Sequence, residues 1–343
     1  MIYGAYGYTG ELMVHEAVKQ GIKPIIAGRD AEKLKPLAHE LNLEYRAFDT
    51  QQAGNHLQDI RVLLNCAGPF SATAESLVKA CLQQQVDYLD ITGEIEVFRK
   101  CYALDEEARK RNVIVMPGVG TDIVPTDCLA AMLKEKLPGA IRLDLAFSFG
   151  TNPSIGTVKT WIESFGKGGL IRENSRLKKV PNAFRMRKIP FQNKPQWTVT
   201  VPWGDVFTTG VSTGVPNGVV YMAMPKTAIY LVRLSNPVKD LLNIPFGQKL
   251  IKNLANLFIK KGPGEQARET ERGQFWGKAQ ALNGDQVEMT MSTPNVYQLT
   301  AIAGIRIAEY CLSAHGKSGY YTPSLLLGSH FITSLPDIDI RNI

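Results

Sequence analysis

The chain has 343 residues, 44% of them hydrophobic and 21% charged, a globular composition with length for about two domains whose cores need no covalent staples. Its formal net charge of +7 suits an anionic ligand, but no basic run is interleaved with aromatics, so nucleic acid is not an expected partner. There is no apolar stretch of about 18 residues and no charged leader followed by an apolar run, so neither a spanning helix nor a signal peptide is expected, and the cytoplasm is the expected compartment.

In chain order, Met1–Ala5 predicts a strand and Tyr8–Gln20 a helix, with Leu12, Met13, Val14, Ala17 and Val18 along one side. Pro24–Gly28 reads as a second strand and Asp30–Leu41 as a helix with Asp30 at its N-cap. Leu43–Phe48 and Arg61–Asn65 read as strands, Thr73–Gln84 as a helix and Val86–Ile91 as a strand. Glu94–Arg111 reads as one helix and Val113–Met116 as another apolar strand. This alternation predicts an α/β fold, a Rossmann-type doubly wound parallel sheet covered on both faces. The rhythm changes near Pro117. Pro125–Leu137 predicts a helix, Arg142–Phe149 a strand, and Trp197–Val201, Phe207–Val215, Val219–Met224, Gly273–Leu282 and Gln286–Ser292 further strands broken by Gly and Pro. They predict a second α+β domain on a mixed or antiparallel sheet, before a last helix at Asn295–Ser313. The expected division is 1–127 for nucleotide binding and 128–294 for substrate and dimerisation.

Gly4, Gly7 and Gly10 are spaced G-x-x-G-x-x-G directly between a strand and a helix. Glycine permits the tight turn and lets the backbone approach a pyrophosphate, and the helix N-terminus offers N–H groups and partial positive charge. Tyr6, Tyr8 and Thr9 belong to the same turn. The context makes a dinucleotide site the reading. An NAD site would place Asp or Glu at the tip of the second strand. Here the tip carries Arg29, whose guanidinium suits the 2′-phosphate of NADP. Asp30 is better placed as a helix cap, and Lys33 adds charge one turn on. Asp49 ends the third strand, where it either meets the adenine amine or caps a turn. Cys66, Ala67, Gly68 and Pro69 follow the fourth strand, and their small size leaves room for a cofactor to cross the sheet edge.

Several motifs appear in order: Gly4-Ala-Tyr-Gly-Tyr-Thr-Gly10, Ala27-Gly28-Arg29, Asn65-Cys-Ala-Gly-Pro-Phe70, Tyr88-Leu-Asp-Ile-Thr-Gly-Glu94 and Pro117-Gly-Val-Gly-Thr-Asp-Ile-Val-Pro-Thr-Asp127. Together they resemble the saccharopine dehydrogenase-like oxidoreductases. Ser154-Ile-Gly-Thr157, Gly262-Pro-Gly-Glu265 and Tyr297-Gln-Leu-Thr-Ala301 resemble the branch that includes trans-acting enoyl reductases. The resemblance implies an NADP-binding Rossmann domain, an α/β substrate domain, residues 295–343 packing back on the first domain, and a homodimer. It does not name the substrate. Saccharopine-forming enzymes carry a G-x-G-x-x-G turn, and this chain has the wider spacing.

Hydride transfer to a carbonyl, imine or enoyl group calls for a proton donor nearby. Candidates are Asp122, in the Gly-rich loop after the apolar strand, and Glu94. Each also reads as a turn former or helix start. Asp127 is a further acid of this stretch. Tyr88, Asp90, Ser154 and Thr157 are candidate substrate contacts, the last two opening a helix whose N–H groups suit a carboxylate or phosphate. No Tyr-x-x-x-Lys motif follows the fourth strand, and no serine nucleophile elbow is visible. Five scattered cysteines form no C-x-x-C pair, and five dispersed histidines lack ligand spacing, so no metal site is expected. Pro245–Lys261 reads as a basic amphipathic helix that covers its own domain or a dimer partner, or else touches an anionic membrane or acyl carrier. The expected function is NADP-dependent oxidation or reduction of a small or lipid-like substrate. The rival is a dinucleotide-binding sensor or scaffold without turnover, with or without membrane association.

Overall fold

The computed structural model describes residues 1–149, 168–234, 236, 264–313 and 316–343. They form two units, Met1–Val124 with Tyr297–Leu326, and Pro125–Val296 with Leu327–Ile343. In the first, strands β1 (Ile2–Tyr3), β2 (Ile26–Gly28), β3 (Tyr45–Ala47), β4 (Val62–Asn65), β5 (Asp87–Asp90) and β6 (Ile114–Met116) alternate with helices. The helices are α1 (Tyr8–Lys19), α2 (Ala31–Leu41), α3 (Phe70–Gln84), α4 (Ile95–Tyr102) and α5 (Asp105–Arg111). The strands are shorter than the apolar runs suggested.

All seven strands of this sheet are parallel, in the order Gly319–Tyr320, β6, β5, β4, β1, β2, β3. The chain winds outward from β1 to β3, returns to β4 beside β1, and winds outward to β6. Its direction therefore reverses between β1 and β4, where doubly wound folds bind ligands. Every residue of the central β4 is buried, as expected for a strand covered on both faces.

The single helix expected over Glu94–Arg111 is two. Leu104 N–H donates to Cys101 O at 3.1 Å, a tightened last turn, and α5 begins afresh with Asp105, Glu106 and Glu107 in its first turn and Arg109, Lys110 and Arg111 in its last. That charge order matches the helix dipole at both ends.

The second unit is a nine-stranded mixed sheet. Its strands include β7 (Ala140–Ser148), β8 (Gly169–Glu173), β9 (Arg176–Val180), β10 (Met186–Pro190), β11 (Pro195–Thr200), β12 (Asn217–Ala223), β13 (Gly273–Ala281) and β14 (Gln286–Thr293). The order is β10, β11, β12, β7, β13, β14, Asp339–Asn342, with β8 and β9 branching from β12. Among the described residues of this sheet only β12 and β7 pair in parallel. Helix α6 (Val124–Lys136) covers one face, with Leu129 and Leu133 against Gly277 and Leu145 beside it. The other face carries a cluster of Ala146, Ile171, Ile189, Phe191, Val219, Tyr221 and Trp276.

Three differences from the sequence reading involve this unit. Phe207–Val215 was expected as a strand but is helix α7 (Asp205–Thr213). Its β-branched residues suggest a strand, yet the Thr209 and Thr213 hydroxyls bond back to the carbonyls of Asp205 and Thr209, and Arg172 of β8 donates to the carbonyls of Val206 and Phe207. Tertiary partners override the local preference. The 295–343 stretch also divides. Tyr297–Leu326 groups with the first unit and Leu327–Ile343 with the second, where Asp339–Asn342 pairs with β14. Strands β8, β9 and β10 carry no clear alternation and were not anticipated.

Candidate dinucleotide-binding site

The turn from Gly4 to Gly10 is built by backbone contacts that admit no side chains. Gly4 has φ +81°, and a Cβ on it would lie 2.8 Å from Ala67 N. A Cβ on Gly10 would lie 2.3 Å from Gly4 O. The Gly7 N–H donates to Gly4 O at 3.0 Å, and Gly7 is the N-cap of α1 without any side chain to offer. The positive end of α1 thus stands at the end of β1, with tight backbone packing behind it. Tyr6, Gly7, Tyr8 and Thr9 are half-buried, and the Tyr8 ring meets Tyr297 edge-on at 5.0 Å.

The loop after β4 closes on this turn. Ala67 touches Gly4, and its N–H donates to Asn65 Oδ1 at 2.9 Å. The Cys66 Sγ lies 3.3 Å from Met13 Sδ in α1, and burial pushes that thiol up, away from a reactive thiolate. Gly4, Gly7, Gly10, Cys66 and Ala67 are thus brought together at the point where the sheet reverses, with Gly68 and Pro69 leading from it into α3.

At the tip of β2, the Tyr6 ring lies over Gly28. Asp30 caps α2, accepting from the N–H groups of Glu32 and Lys33 at 3.1 and 3.4 Å. Lys33 Nζ is 3.4 Å from Asp30 Oδ2 and 5.6 Å from the centre of the Tyr6 ring. Arg29 is exposed and has no ion-pair partner among the described residues. Asp49 caps the turn Thr50–His56, accepting from Gln51 N–H at 3.2 Å, so its cap reading has a partner. A cleft of about 620 Å³ opens between that turn and α3, lined by Thr50, Gln51, Asn55, Ser71, Ser76 and Lys79 among others. None of these residues stands out in the sequence, since the cleft forms from two segments about 20 positions apart.

The carboxylates of the first unit have distinct environments. Both Glu94 oxygens face the start of α3: Oε1 accepts from Phe70 N–H and Oε2 from Ser71 N–H, each at 2.9 Å. Pro69 at the N-cap provides no side-chain cap, so Glu94 supplies it from 24 residues away. Asp90 is wholly buried. Its Oδ1 accepts from the N–H groups of Thr92 and Gly118, each at 3.0 Å, and its Oδ2 accepts from the Tyr88 hydroxyl at 2.8 Å. That hydroxyl in turn accepts from Asn65 Nδ2 at 3.2 Å. Tyr88 and Asp90 are therefore bonded to each other within the sheet, and through Asn65 and Gly118 they tie together the loops after β4 and β6. Burial pushes Asp90 up to about 7 and holds Tyr88 well above the usual phenol range. Asp122, half-buried in the loop after β6, is also pushed up to about 7 by burial. The backbone of this loop is held by Thr121 N–H donating to Thr300 Oγ1 at 3.0 Å. Asp127 lies buried in α6 of the second unit. Ser154, Thr157 and the helix expected at Pro245–Lys261 lie outside the described residues. Among the described residues no helix is long and apolar enough to cross a membrane.

A parallel doubly wound sheet with a glycine turn at its reversal point defines a dinucleotide-binding Rossmann unit. Residues 1–116 match the family of saccharopine dehydrogenase NADP-binding domains. Over those residues, about a third of the chain, it is similar to the NADP-binding domains of saccharopine dehydrogenases. It is 25% identical over 232 residues to a saccharopine dehydrogenase-like oxidoreductase of Bos taurus, covering 58% of this chain and 53% of the relative. It is 29% identical over 139 residues to a trans-acting enoyl reductase of Mycobacterium leprae, covering 37% of this chain and 33% of the relative. The chain thus spans about half the length or less of these curated relatives. The apo saccharopine dehydrogenase (L-Glu forming) of Saccharomyces cerevisiae superposes with a TM-score of 0.67 at 10% identity, covering 100% of this chain and 99% of that one. At that identity the likeness establishes a shared fold.

Proposed function

We propose that this protein is an NADP-dependent oxidoreductase transferring a hydride to or from a C=N, C=O or activated C=C bond of a small or lipid-like substrate, and that it works as a homodimer. The observation that carries the reading is the contact of Gly4 with Ala67 at the sheet's reversal point. There a backbone cradle that a single Cβ would fill meets a loop of small residues. A bound nicotinamide supplies the hydride chemistry. The chain supplies the rest. The Gly4–Gly10 turn and the start of α1 hold a pyrophosphate, Arg29 takes the 2′-phosphate through charge-assisted bonds, and Lys33 adds charge beside it. Cys66, Ala67, Gly68 and Pro69 leave room at the strand end. Asp122 is the proposed proton donor. Burial keeps part of its population protonated near neutral pH, whereas the Glu94 oxygens are already engaged by two N–H groups. The relatives named as oxidoreductases and as an enoyl reductase support hydride transfer as the reaction class.

Fluorescence titration with NADPH and NADH tests the cofactor. NADPH is expected to bind more tightly, and Arg29→Ala to weaken NADPH by about tenfold or more with little change for NADH. Tighter NADH binding by the unaltered protein refutes the role given to Arg29. A panel of carbonyl, imine and enoyl compounds, followed by NADPH oxidation, tests the activity. Asp122→Asn should lower kcat while leaving NADPH affinity intact. Tight NADPH binding with no oxidation across the panel identifies a sensor instead.

A further inference from the structure

The sheet of the second unit rolls over on itself, and the roll gathers charge. In the order β10, β11, β12, β7, β13 the outer strands are four positions apart, about 19 Å in a flat sheet at the usual strand spacing. Yet the guanidinium carbon of Arg187, on β10, is 4.8 Å from the centre of the Trp276 ring on β13. It is 5.8 Å from the centre of the Tyr221 ring on β12. Ile189 of β10 is wholly buried in one cluster with Ala146 of β7 and Trp276. The edge strand is therefore folded across the face of the central strands, and apolar side chains fill the fold.

Charged side chains from four strands meet beside this cluster. Asp144, on β7, is only 7% exposed. Arg142 Nε lies 2.8 Å from its Oδ1 and Arg187 Nη1 3.7 Å from its Oδ2. Lys278 of β13 stands directly opposite Asp144 in register and pairs with Glu288 of β14 at 3.6 Å. Glu288 also accepts from Trp276 Nε1 at 2.5 Å. Arg185, exposed just before β10 and two residues from Arg187, projects to the same side of the strand, with its guanidinium carbon 5.3 Å from the centre of the Phe184 ring.

Four cations, Arg142, Arg185, Arg187 and Lys278, thus face two carboxylates, Asp144 and Glu288. Glu288 is engaged by Lys278 and the Trp276 N–H, and Asp144 by Arg142 and Arg187. A surplus of two positive charges is left on the guanidiniums nearest the surface. Arg187 is not a freely waving surface residue. Its guanidinium is held against the indole of Trp276 and drawn towards Asp144, while 35% of its side chain stays exposed. Each guanidinium has five N–H donors, more than one carboxylate can accept. A guanidinium held in place with spare donors is the usual element of oxyanion recognition.

We propose that this cluster is an oxyanion-binding site for a small molecule bearing a phosphate or carboxylate group, held by Arg185 and Arg187 with Arg142 alongside. It lies wholly within the second unit and does not depend on the dinucleotide reading.

The test is calorimetric titration of the full chain with inorganic pyrophosphate and with citrate, at constant ionic strength and with NADPH present to fill the Gly4–Gly10 turn. Saturable binding of at least one anion is expected, weakened about tenfold or more by Arg185→Ala and by Arg187→Ala. The exposed Arg176→Ala on β9 should leave it unchanged. Arg185 is exposed, so its variant remains informative even if Arg187→Ala misfolds. Binding of pyrophosphate alone identifies a phosphate ligand, and of citrate alone a carboxylate. No saturable binding of either anion, or equal affinity in Arg185→Ala and the unaltered protein, overturns the proposal. Failure of NADPH to bind would count against the dinucleotide reading alone, because the Arg185 difference is still read directly.

Discussion

The Glu94 carboxylate accepts from the Phe70 backbone N–H at 2.9 Å, with Ser71 N–H on its other oxygen at the same distance. A side chain from the loop after β5 thereby closes the positive end of α3, where proline leaves no local cap. Glu94→Ala should cost about 1–2 kcal/mol, the range for a lost cap with charge-assisted bonds. Urea unfolding should show a lower midpoint. Glu94→Gln keeps one acceptor oxygen and should fall between the two. If Glu94 were instead the proton donor, Glu94→Gln would abolish turnover at unchanged stability, and the cap assignment would be incomplete.

Gly10 stands against the backbone of Gly4, 2.3 Å from where a Cβ would be. The obstacle is a carbonyl oxygen rather than a flexible side chain, so α1 must shift to accept a methyl group. Gly10→Ala should destabilise by about 1–3 kcal/mol, the usual cost of overpacking, and abolish saturable NADPH binding in a fluorescence titration. Retained NADPH affinity would show that the turn does not need this close approach.

Asp90 gives stability a particular pH dependence. Burial raises its folded-state value from 3.8 to about 7. Between those values the folded protein holds a proton that the unfolded chain has released. Stability therefore falls as pH rises from about 4 to about 7, and the penalty is fully present above that. Asp122, similarly raised, and Asp87, raised to about 6 by burial, add to the same slope. Urea midpoints across this range should fall with pH, and Asp90→Asn should flatten the fall. An unchanged slope in Asp90→Asn would remove Asp90 from this role.

In the second unit, a Cβ on Gly210 would lie 1.9 Å from the guanidinium carbon of Arg172. Arg172 donates to the carbonyls of Val206, Phe207 and Ser175. Gly210→Ala alone should evict the guanidinium and cost about 1–3 kcal/mol as these bonds are lost. In an Arg172→Ala background the obstacle is gone, and the same change should be neutral or stabilise by up to about 1 kcal/mol through helix propensity. A double-mutant cycle reads the coupling directly. Additive effects would mean that Gly210 is not there for the arginine.

The strand–helix alternation, the glycine turn, the Asp30 cap and the position of Arg29 at a strand tip are all legible in the amino-acid sequence. Each is decided by residues within a few positions of one another, where periodicity, turn sterics and capping act. The order of motifs along the chain also carries the family resemblance, because it is itself a linear property. The break at Leu104 was legible in principle, since the acidic and basic turns of α5 adjoin it. Helix α7 was not, because its β-branched run favours a strand until Arg172 arrives from β8.

The roles of the charged side chains belong to the tertiary structure. By sequence alone Glu94, Asp90 and Asp122 are three comparable acids near the ends of strands. Folding brings Glu94 to two N–H groups 24 and 23 positions away, encloses Asp90 within the sheet with Tyr88, and leaves Asp122 half-buried with a proton it can hold near neutral pH. In the same way Arg187 meets Trp276 and Asp144 only because the sheet rolls over. Residue type and spacing determine the glycine turn, because it is local in the chain, whereas its meeting with Cys66 and Ala67 is made only by the fold. What each charge does depends on its desolvation and on its partners, and both are set by contacts distant in the chain.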